Sequence, residues 1–451
     1  METLNLEEII ENIREELGNK KINKVKEILQ NIKPQDIALI FQEISDEEMI
    51  KLYRIMPKDL AVETFAEMDS ELQEKLIKAL TDKELREVLQ ELFTDDTVDL
   101  IEEMPSNVVK RILKTIPAGE RKLINEFLQY PENSAGSIMT DEFVDLKENM
   151  TVKQAFDKIR KVSIDKETIY ICYVLSEDRK LLGTVTVKEL LLANLEDKIK
   201  DFMNMNVISG TTLEDQEDVV NKLTKYDLLA LPIVDKENRL VGIITIDDAV
   251  DVLEEESTED FQKMAAITLN GEEYFKTSTF KHAKSRILWL LFLMVSATIT
   301  GKIITEYETA FEAVPLLVAF IPMIMGTGGN CGSQASTLII RGLATNEIRP
   351  RDILKAIWKE TRVALLVGVV LSIVNGVIVM WQYQDLSLAV VVGITLIFTV
   401  LLSKILGCVL PIAAKKVKLD PAIMASPLIT TIVDICSVLI YFVVATMVLS
   451  I

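Results

Sequence analysis

The sequence predicts a multidomain membrane protein in which an acidic, soluble N-terminal half precedes a transmembrane domain of five helices. The chain of 451 residues has a formal net charge of −20, yet residues 285–451 hold 12 Lys+Arg against 9 Asp+Glu, so the negative excess lies in residues 1–284. Long apolar runs fall only after residue 285, and residues 135–256 repeat one pattern at an offset of 59 residues. These three observations separate a helical part, a repeated part and a membrane part.

Residues 1–130 repeat loosely every 11 to 12 residues, as the likeness of Pro34-Gln-Asp-Ile-Ala to Pro57-Lys-Asp-Leu-Ala shows. The segment that opens at Thr94 resembles both, and the helix starts between them open on a capping residue, namely Ser45, Asp69 and Thr81. Short amphipathic helices of this kind stack into a solenoid, because each is too short to be stable alone. The pattern predicts a helical acidic N domain. Asp95 and Asp96, at one helix start, are either capping acids or metal ligands.

Residues 135–256 contain one unit written twice. Leu181-Leu-Gly-Thr-Val-Thr-Val-Lys-Glu matches Leu240-Val-Gly-Ile-Ile-Thr-Ile-Asp-Asp, and Ser137-Ile-Met-Thr and Asp201-Phe-Met-Asn open the two units. Each unit reads as a short strand, a helix, two β-rich runs joined by a charged turn, and a second helix. This predicts two α/β units over residues 135–200 and 201–256.

The repeated Gly-x-x-Thr-x-x-acid segment resembles a tandem pair of CBS domains, the regulatory module named after cystathionine β-synthase. Such pairs often bind adenosine nucleotides such as ATP. The resemblance implies ribose or phosphate contacts at Thr186, Glu189, Thr245 and Asp248. The chain contains no glycine-rich phosphate loop, so nucleotide binding rests on this short motif.

The densest acidic run of the chain follows, over residues 247–260. On a helix, Asp248, Asp251, Glu255 and Glu259 lie one above another at steps of three and four, where like charges repel. The run is either a solvated face or a Mg²⁺- or Ca²⁺-sensing surface of hard oxygen ligands. Residues 257–284 are predicted to form a connecting plug helix that leads into the membrane.

Residues 285–451 form the predicted transmembrane domain. The apolar runs are Ile287–Ile304, Ala313 to about Leu343, Ala364–Trp381, Leu386–Ala413 and Ala422–Ile451. Basic residues cluster before the first run, between the second and third, and at the end of the fourth. This alternation predicts a multi-pass protein of the cell (inner) membrane, in contact with lipid, with a cytoplasmic N-terminus and an external C-terminus.

The last span carries an intramembrane carboxylate, Asp434. A helix starting at Asp420 and Pro421 and running for about 30 residues would be about 45 Å long, enough to cross a core of about 30 Å. Ser426 and Thr430 precede Asp434 at steps of four and share its helical face. Such a polar stripe predicts a cation site; the alternative is a structural aspartate bonded to a neighbouring helix.

The second span contains Gly326-Thr-Gly-Gly-Asn-Cys-Gly-Ser-Gln. Residues of this polarity cannot face lipid, so they either line a pathway or pack against another helix. Small-residue packing accounts poorly for amide side chains, and Gly328, Asn330 and Gln334 are therefore predicted to line a pore.

This glycine-rich segment, together with Leu419-Asp-Pro-Ala and Pro427-Leu-Ile-Thr-Thr-Ile-Val-Asp, resembles the MgtE-type magnesium channel or transporter family over the whole chain. The resemblance implies a homodimer with a pore on its two-fold axis, in which Asp434 binds hydrated Mg²⁺. Ser426 stands where well-known members have a contributing asparagine. The resemblance also implies cytosolic Mg²⁺ bound between the N, CBS and plug regions. The matching positions are Asp95 or Asp96, Gly136, Asp215, Glu217, Asp227, Asp248, Asp251, Glu256, Glu259 and Asp260, with Asp420 near the pore mouth.

The predicted function is a Mg²⁺-selective channel or transporter gated by cytosolic Mg²⁺. The alternatives are a proton- or Na⁺-coupled divalent cation carrier and a membrane receptor that conducts nothing. The acidic balance argues against nucleic acid as a partner. No nucleophile–base pair suggests an enzyme, and the single histidine, His282, excludes a histidine-based metal site.

Overall fold

The computed structural model describes residues 6–163, 166–268, 274–275, 277–307, 314–424 and 426–449, without the side chain of Ser426. The chain divides into two compact units, Met1–Leu253 and Glu254–Ile451.

The N domain is a stack of short helices, as predicted. The helices are α1 (Leu6–Gly18), α2 (Ile22–Gln30), α3 (Pro34–Gln42), α4 (Asp46–Ile55), α5 (Lys58–Ala66), α6 (Ser70–Ala79), α7 (Asp82–Leu89), α8 (Thr94–Glu103), α9 (Ser106–Thr115) and α10 (Ala118–Phe127). Ser45 and Thr81 form capping boxes with Glu48 and Glu84, which satisfy backbone N–H groups at both helix starts. The inner faces of the helices share one apolar core.

Thr94 does not cap α8. Thr94 is the first residue inside α8, and the preceding Phe93 makes no side-chain cap. The Thr94 hydroxyl instead lies 2.8 Å from the carboxylate oxygens of both Asp141 and Glu142, because the chain beyond the solenoid returns to this helix start.

Each α/β unit has the predicted order of elements. The first contains β1 (Val144–Lys147), α11 (Val152–Val162), β2 (Ile171–Leu175), β3 (Leu181–Thr186) and α12 (Val187–Leu192). The second contains β4 (Gly210–Thr211), α13 (Gln216–Lys225), β5 (Ala230–Val234), β6 (Leu240–Thr245) and α14 (Ile246–Met264). In both sheets the middle strand pairs parallel with the first strand and antiparallel with the third, and both hairpins carry an irregularity at the same place in the repeat.

The opening segment of each α/β unit pairs with a strand of the other α/β unit. Thr140, in the opener of the first unit, bridges Ile243 of the second, and Asn204 bridges Thr184 of the first. A Cβ at Gly242 would lie 2.7 Å from the Thr140 carbonyl oxygen, and one at Gly183 would lie 2.9 Å from that of Asn204. The repeated glycine therefore makes room for the other unit's opener.

The connecting segment 257–284 is not the single helix that the sequence predicts. Helix α14 ends at Met264, and Ala266 adopts a left-handed conformation with φ 55°. The next helix, α15 (Thr279–Glu306), starts afresh because the Ser278 side chain accepts a hydrogen bond from the backbone N–H of Lys281.

Five helices of the described residues are long and apolar enough to cross a bilayer, in agreement with the predicted spans. They are α15, α16 (Ile321–Ala344), α17 (Ile353–Tyr383), α18 (Leu386–Lys416) and α19 (Ser426–Leu449). The predicted start of the last helix is corrected: Asp420 caps only a 3₁₀ turn, Pro421–Met424, by accepting from the N–H of Ala422 at 2.8 Å. Helix α19 then begins at Ser426, where Pro427 suits a first turn that needs no N–H.

Candidate cation sites

Acidic side chains crowd around the start of α8, within the compact unit Met1–Leu253. Asp95 and Asp96 lie there, partly buried, and Asp95 accepts a hydrogen bond from the backbone N–H of Asp96 at 3.0 Å. Asp248, from the start of α14, is close enough to repel both of them electrostatically. We call this group the α8 acid cluster, and it also includes Glu142 and Glu167.

The pKa values of the α8 acid cluster show how unfavourable the crowding of carboxylates is. Burial and the charge of Asp248 raise the pKa of Asp96 to about 6 and that of Glu167 to about 7. Burial and the neighbouring Asp96 raise the pKa of Asp95 well above its usual value, and burial is also the main cause of the raised pKa values of Glu142 and Asp248. Desolvation and like charge both disfavour the ionised form, so a proton or a cation would stabilise this group.

Sequence reasoning did not identify Glu142 and Glu167. Both lie in connecting segments without a repeated pattern, and the backbone N–H of Glu167 donates to the carbonyl of Glu142 at 3.0 Å. The only available signal was that Glu142 follows two residues after Thr140, which ends the opening segment of the first α/β unit. The Thr140 hydroxyl donates to the Glu142 carboxylate.

The other acids predicted as metal ligands in the compact unit Met1–Leu253 do not belong to the α8 acid cluster. Asp215 caps α13 by accepting from the N–H of Glu217 at 3.0 Å, Asp227 is exposed in a left-handed turn, and Asp251 is exposed on α14. Gly136 is buried, and a Cβ there would lie 2.5 Å from the Tyr130 ring. Within the described parts of the chain, no three His, Cys, Asp or Glu side chains converge closely enough to hold a metal ion directly.

The side chains predicted to contact a nucleotide form hydrogen bonds with each other, in one pair per α/β unit. Thr186 and Glu189 form a capping box at the start of α12, and the Thr245 hydroxyl donates to the Asp248 carboxylate at 2.6 Å. The repeated Thr and acid therefore have a structural role in both units before any ligand is considered.

In the membrane domain, glycines of α16 bring this helix against α18 and α19. A Cβ at Gly328 would lie 2.8 Å from side-chain carbons of Thr399 and Val433, and one at Gly332 would lie 2.6 Å from Ile429. Gly328 therefore belongs to a helix contact rather than to the open path that the sequence predicted, since small residues allow close approach of helices.

Asn330 and Gln334 lie on the other face of α16 and are exposed. Amide groups at this depth cannot face lipid, so this face adjoins either a pathway or another polypeptide. On α19, Thr430 approaches the Cβ position of Gly329 to 3.0 Å, so the two helices meet beside Asn330.

Asp434 lies one helical turn after Thr430 and is half-buried. Over the described residues Asp434 has no hydrogen-bond or ion-pair partner, whereas the Thr430 hydroxyl donates to the Pro427 carbonyl at 3.0 Å. This disfavours the alternative of a structural aspartate bonded to a neighbouring helix. The side chain of Ser426, the third member of the predicted stripe, lies outside the described residues.

A further group of acids lies in the compact unit Glu254–Ile451. It comprises Glu256, Glu259 and Asp260 on α14 and Asp420, which precedes α19. Burial and the charge of Asp420 raise the pKa of Asp260 to about 6. The Asp420 carboxylate also accepts a hydrogen bond from Lys263 at 2.6 Å.

Comparison with known families assigns the class of protein. Residues 321–444 match the MgtE family of divalent cation transporters, residues 32–133 match the intracellular N domain of that family, and residues 135–196 and 199–255 match CBS domains. Together with the five apolar helices, these matches define a membrane transporter of divalent cations with a CBS pair.

The similarity to individual relatives extends over most of the chain. The chain is 35% identical over 399 residues to the magnesium transporter MgtE of Thermus thermophilus, covering 88% of each protein. It is 35% identical over 393 residues to that of Bacillus subtilis, covering 86% of each. The chain therefore belongs to the MgtE family of magnesium transporters, and it is not an enzyme.

Solved structures agree for the soluble part. The cytosolic domain of the Mg²⁺ channel MgtE in complex with ATP is 32% identical, with a TM-score of 0.52 and coverage of 54% of this chain and 99% of that chain. The soluble part of a magnesium transporter is 28% identical, with a TM-score of 0.53 and coverage of 56% and 100%.

Proposed function

We propose that this protein conducts Mg²⁺ across the cell membrane as a homodimeric channel, and that Asp434 holds the hydrated ion. The observation that carries the proposal is a half-buried carboxylate without a protein partner in the described residues, on a helix that packs against the glycine face of α16 beside the exposed Asn330. Mg²⁺ sheds water reluctantly and is usually held by one or two carboxylates through its water shell. Two copies of Asp434 would form the small carboxylate ring that cation pores use.

The test is Mg²⁺ flux into liposomes that contain a Mg²⁺-sensitive dye. We expect Asp434→Ala to abolish flux without unfolding the protein, because Asp434 makes no ion pair or hydrogen bond with any of the described residues. Asp434→Asn should retain some flux with poorer selectivity against other divalent cations. Cys436→Ala, a small change two residues away on α19, serves as the matched control. Wild-type flux through Asp434→Ala would exclude Asp434 as the ion ligand.

We further propose that cytosolic Mg²⁺ closes the channel. The proposal is supported by the α8 acid cluster and by the acids along α14, whose like charges divalent ions would stabilise. Changing Asp248, Asp251 and Glu259 together to Ala removes both repulsion and bridging ions. Repulsion across solvent is screened within about 8 Å, so loss of the close bridges should dominate. The triple variant should conduct at cytosolic Mg²⁺ concentrations that close the wild type; closure at the wild-type concentration would assign these acids to a solvated face.

The second candidate is a proton- or Na⁺-coupled carrier. It is favoured by a buried pair of ionisable side chains in the membrane domain, Glu360 and Lys404, since such residues often mark coupled transport. A carrier predicts Mg²⁺ flux that changes when a pH or Na⁺ gradient across the liposome is collapsed. A channel predicts flux that follows only the Mg²⁺ gradient and the membrane potential.

We also propose that the CBS pair binds an adenosine nucleotide; the proposal is supported by the related MgtE cytosolic domain that was solved in complex with ATP. Thr186, Glu189, Thr245 and Asp248 would contact it. Titration calorimetry of the full-length protein with ATP should give a binding isotherm that Thr245→Val weakens. An unchanged isotherm in this variant would remove Thr245 from the site.

The proposed topology has a cytoplasmic N-terminus and an external C-terminus. Accessibility of tags at each terminus in intact and in permeabilised cells tests this assignment.

A further inference from the structure

Lys263 lies in the last turn of α14 and contacts carboxylates from two separate segments. Its ammonium group lies 2.6 Å from Asp420 Oδ2 and also contacts Glu259 Oε1, one turn earlier on the same helix. Lys263 and Asp420 are 157 residues apart in the chain. All three side chains are only partly exposed, at 23% for Lys263 and 29% for each acid.

The Lys263 contacts occupy oxygens that a divalent cation would use. Asp420 has two carboxylate oxygens: Oδ1 accepts from the backbone N–H of Ala422 at 2.8 Å, and Oδ2 accepts from Lys263. A divalent ion approaching Asp420 and Glu259 must therefore displace the ammonium group or share these oxygens with it. Ammonium and hydrated Mg²⁺ seek the same negatively charged oxygens, so they compete.

The contact with Asp420 exceeds what the helix end requires. A lysine in the last turn of a helix is favoured by the helix dipole and by an acid four residues earlier. Lys263 meets the first condition by its position in α14, and Glu259 supplies the second. Neither explains why Lys263 reaches a second carboxylate on another element. Next to this contact, burial and the Asp420 charge raise the pKa of Asp260, and the charge of Lys263 partly offsets them.

We propose that Lys263 is a tethered competing cation that sets the Mg²⁺ concentration at which the channel closes. This inference rests on the proposed closure by cytosolic Mg²⁺. While cytosolic Mg²⁺ is low, Lys263 occupies Glu259 and Asp420. As the concentration rises, Mg²⁺ takes these carboxylates and releases the ammonium group. The lysine thus shifts closure to higher Mg²⁺ than the acids alone would give.

Removing the ammonium group should therefore make closure more sensitive. Lys263→Met keeps the aliphatic stem and removes the charge, and we expect half-closure at about fivefold lower Mg²⁺. A fivefold change corresponds to about 1 kcal/mol, the upper end of the range for a partly exposed ion pair. Lys263→Arg keeps the charge, and we expect its half-closure at about the same Mg²⁺ concentration as in the wild type. Lys26→Met removes an exposed charge from the N domain and controls for the change in net charge.

The experiment uses the full-length protein in excised patches whose bath faces the soluble domains, with Mg²⁺ as the only divalent ion. A second readout without flux is chymotryptic cleavage near Phe275, which is 96% exposed, as a function of Mg²⁺. Chymotrypsin is suitable because it prefers aromatic residues and none of the substitutions creates or removes one, and Lys263→Gln also avoids its slower cleavage after methionine. Lys263→Gln provides a second neutral variant if Lys263→Met folds poorly.

The expected result is a lower midpoint in both readouts for the neutral variants and unchanged midpoints for Lys263→Arg and Lys26→Met. A neutral variant with an unchanged or higher midpoint, beside a wild type that closes normally, would overturn the role of Lys263 alone. A wild type that ignores Mg²⁺ on the side of the soluble domains would overturn the proposed gating, and the role of Lys263 with it.

Discussion

Glu360 on α17 and Lys404 on α18 form the most deeply buried ion pair among the described residues, and its disruption provides a stringent test of the structure. The Lys404 ammonium and Glu360 Oε2 are 3.7 Å apart, and their side chains are 5% and 11% exposed. One helical turn to one side, Cys331, Ala364 and Val400 form an apolar cluster. To the other side, a second cluster contains Cys408 and Ile412. Water is therefore largely excluded from both charges.

Replacing one member of this pair should lower the free energy of unfolding far more than replacing both. Glu360 Oε2 has no hydrogen-bond partner among the described residues, so Lys404→Met also removes its ion pair and leaves a buried, uncompensated carboxylate. Breaking a buried pair from one side typically costs about 3–5 kcal/mol, whereas replacing both charges by neutral groups is often nearly neutral. For a domain of this size that cost corresponds to a fall in Tm of roughly 10 °C.

The assay is thermal unfolding of the detergent-solubilised protein, followed by loss of the monodisperse peak in size-exclusion chromatography. We expect Lys404→Met and Glu360→Gln each to lower Tm, and the double variant to recover most of the loss. The coupling between the two changes isolates the pair from other effects of each substitution. A Lys404→Met protein that melts at the wild-type temperature would refute the reasoning, because Glu360 would then have to be solvated or protonated without cost.

Two further outcomes are expected. Gly328→Ala should lower Tm and flux because its methyl group would lie 2.8 Å from Thr399 and Val433. Gly376→Ala should be tolerated, because no described residue beyond its own stretch of helix lies within 4 Å of the added methyl group. Equal melting temperatures would contradict the close contact of α16. The raised pKa values of Asp96 and Glu167, about 6 and about 7, mean that the folded state holds more protons than the unfolded state between about pH 4 and pH 7, so stability should fall as pH rises through this range. Mg²⁺ should then raise Tm more at pH 8 than at pH 5, and an equal effect at both values would exclude ion binding at the α8 acid cluster.

Much of this protein could be predicted from local sequence patterns. The capping boxes at Ser45 and Thr81 involve residues three positions apart, and the apolar runs of the spans are continuous in the chain. The repeat at an offset of 59 residues identified both α/β units, because each unit builds its own three-stranded sheet. The stripe that contains Asp434 follows from helical spacing alone.

Contacts between distant residues were decided by the tertiary structure. Thr94 opens one of the repeated helical segments, but its hydroxyl bonds to Asp141 and Glu142, which approach it only after the chain has folded back. The sequence shows Gly328 in a polar stretch, and only the packing of α16 on α18 and α19 decides that it fills a helix contact.

The charges illustrate the same division. An acid count indicates a cation-binding body, but it does not show which carboxylates meet. Glu167 reaches the α8 acid cluster from a connecting segment, and Lys263 reaches Asp420 across 157 residues. Local pattern determines helices, strands and spans because their hydrogen bonds and apolar faces repeat over a few residues. Electrostatic partners depend on distance and desolvation, and both are defined only when the elements have packed together.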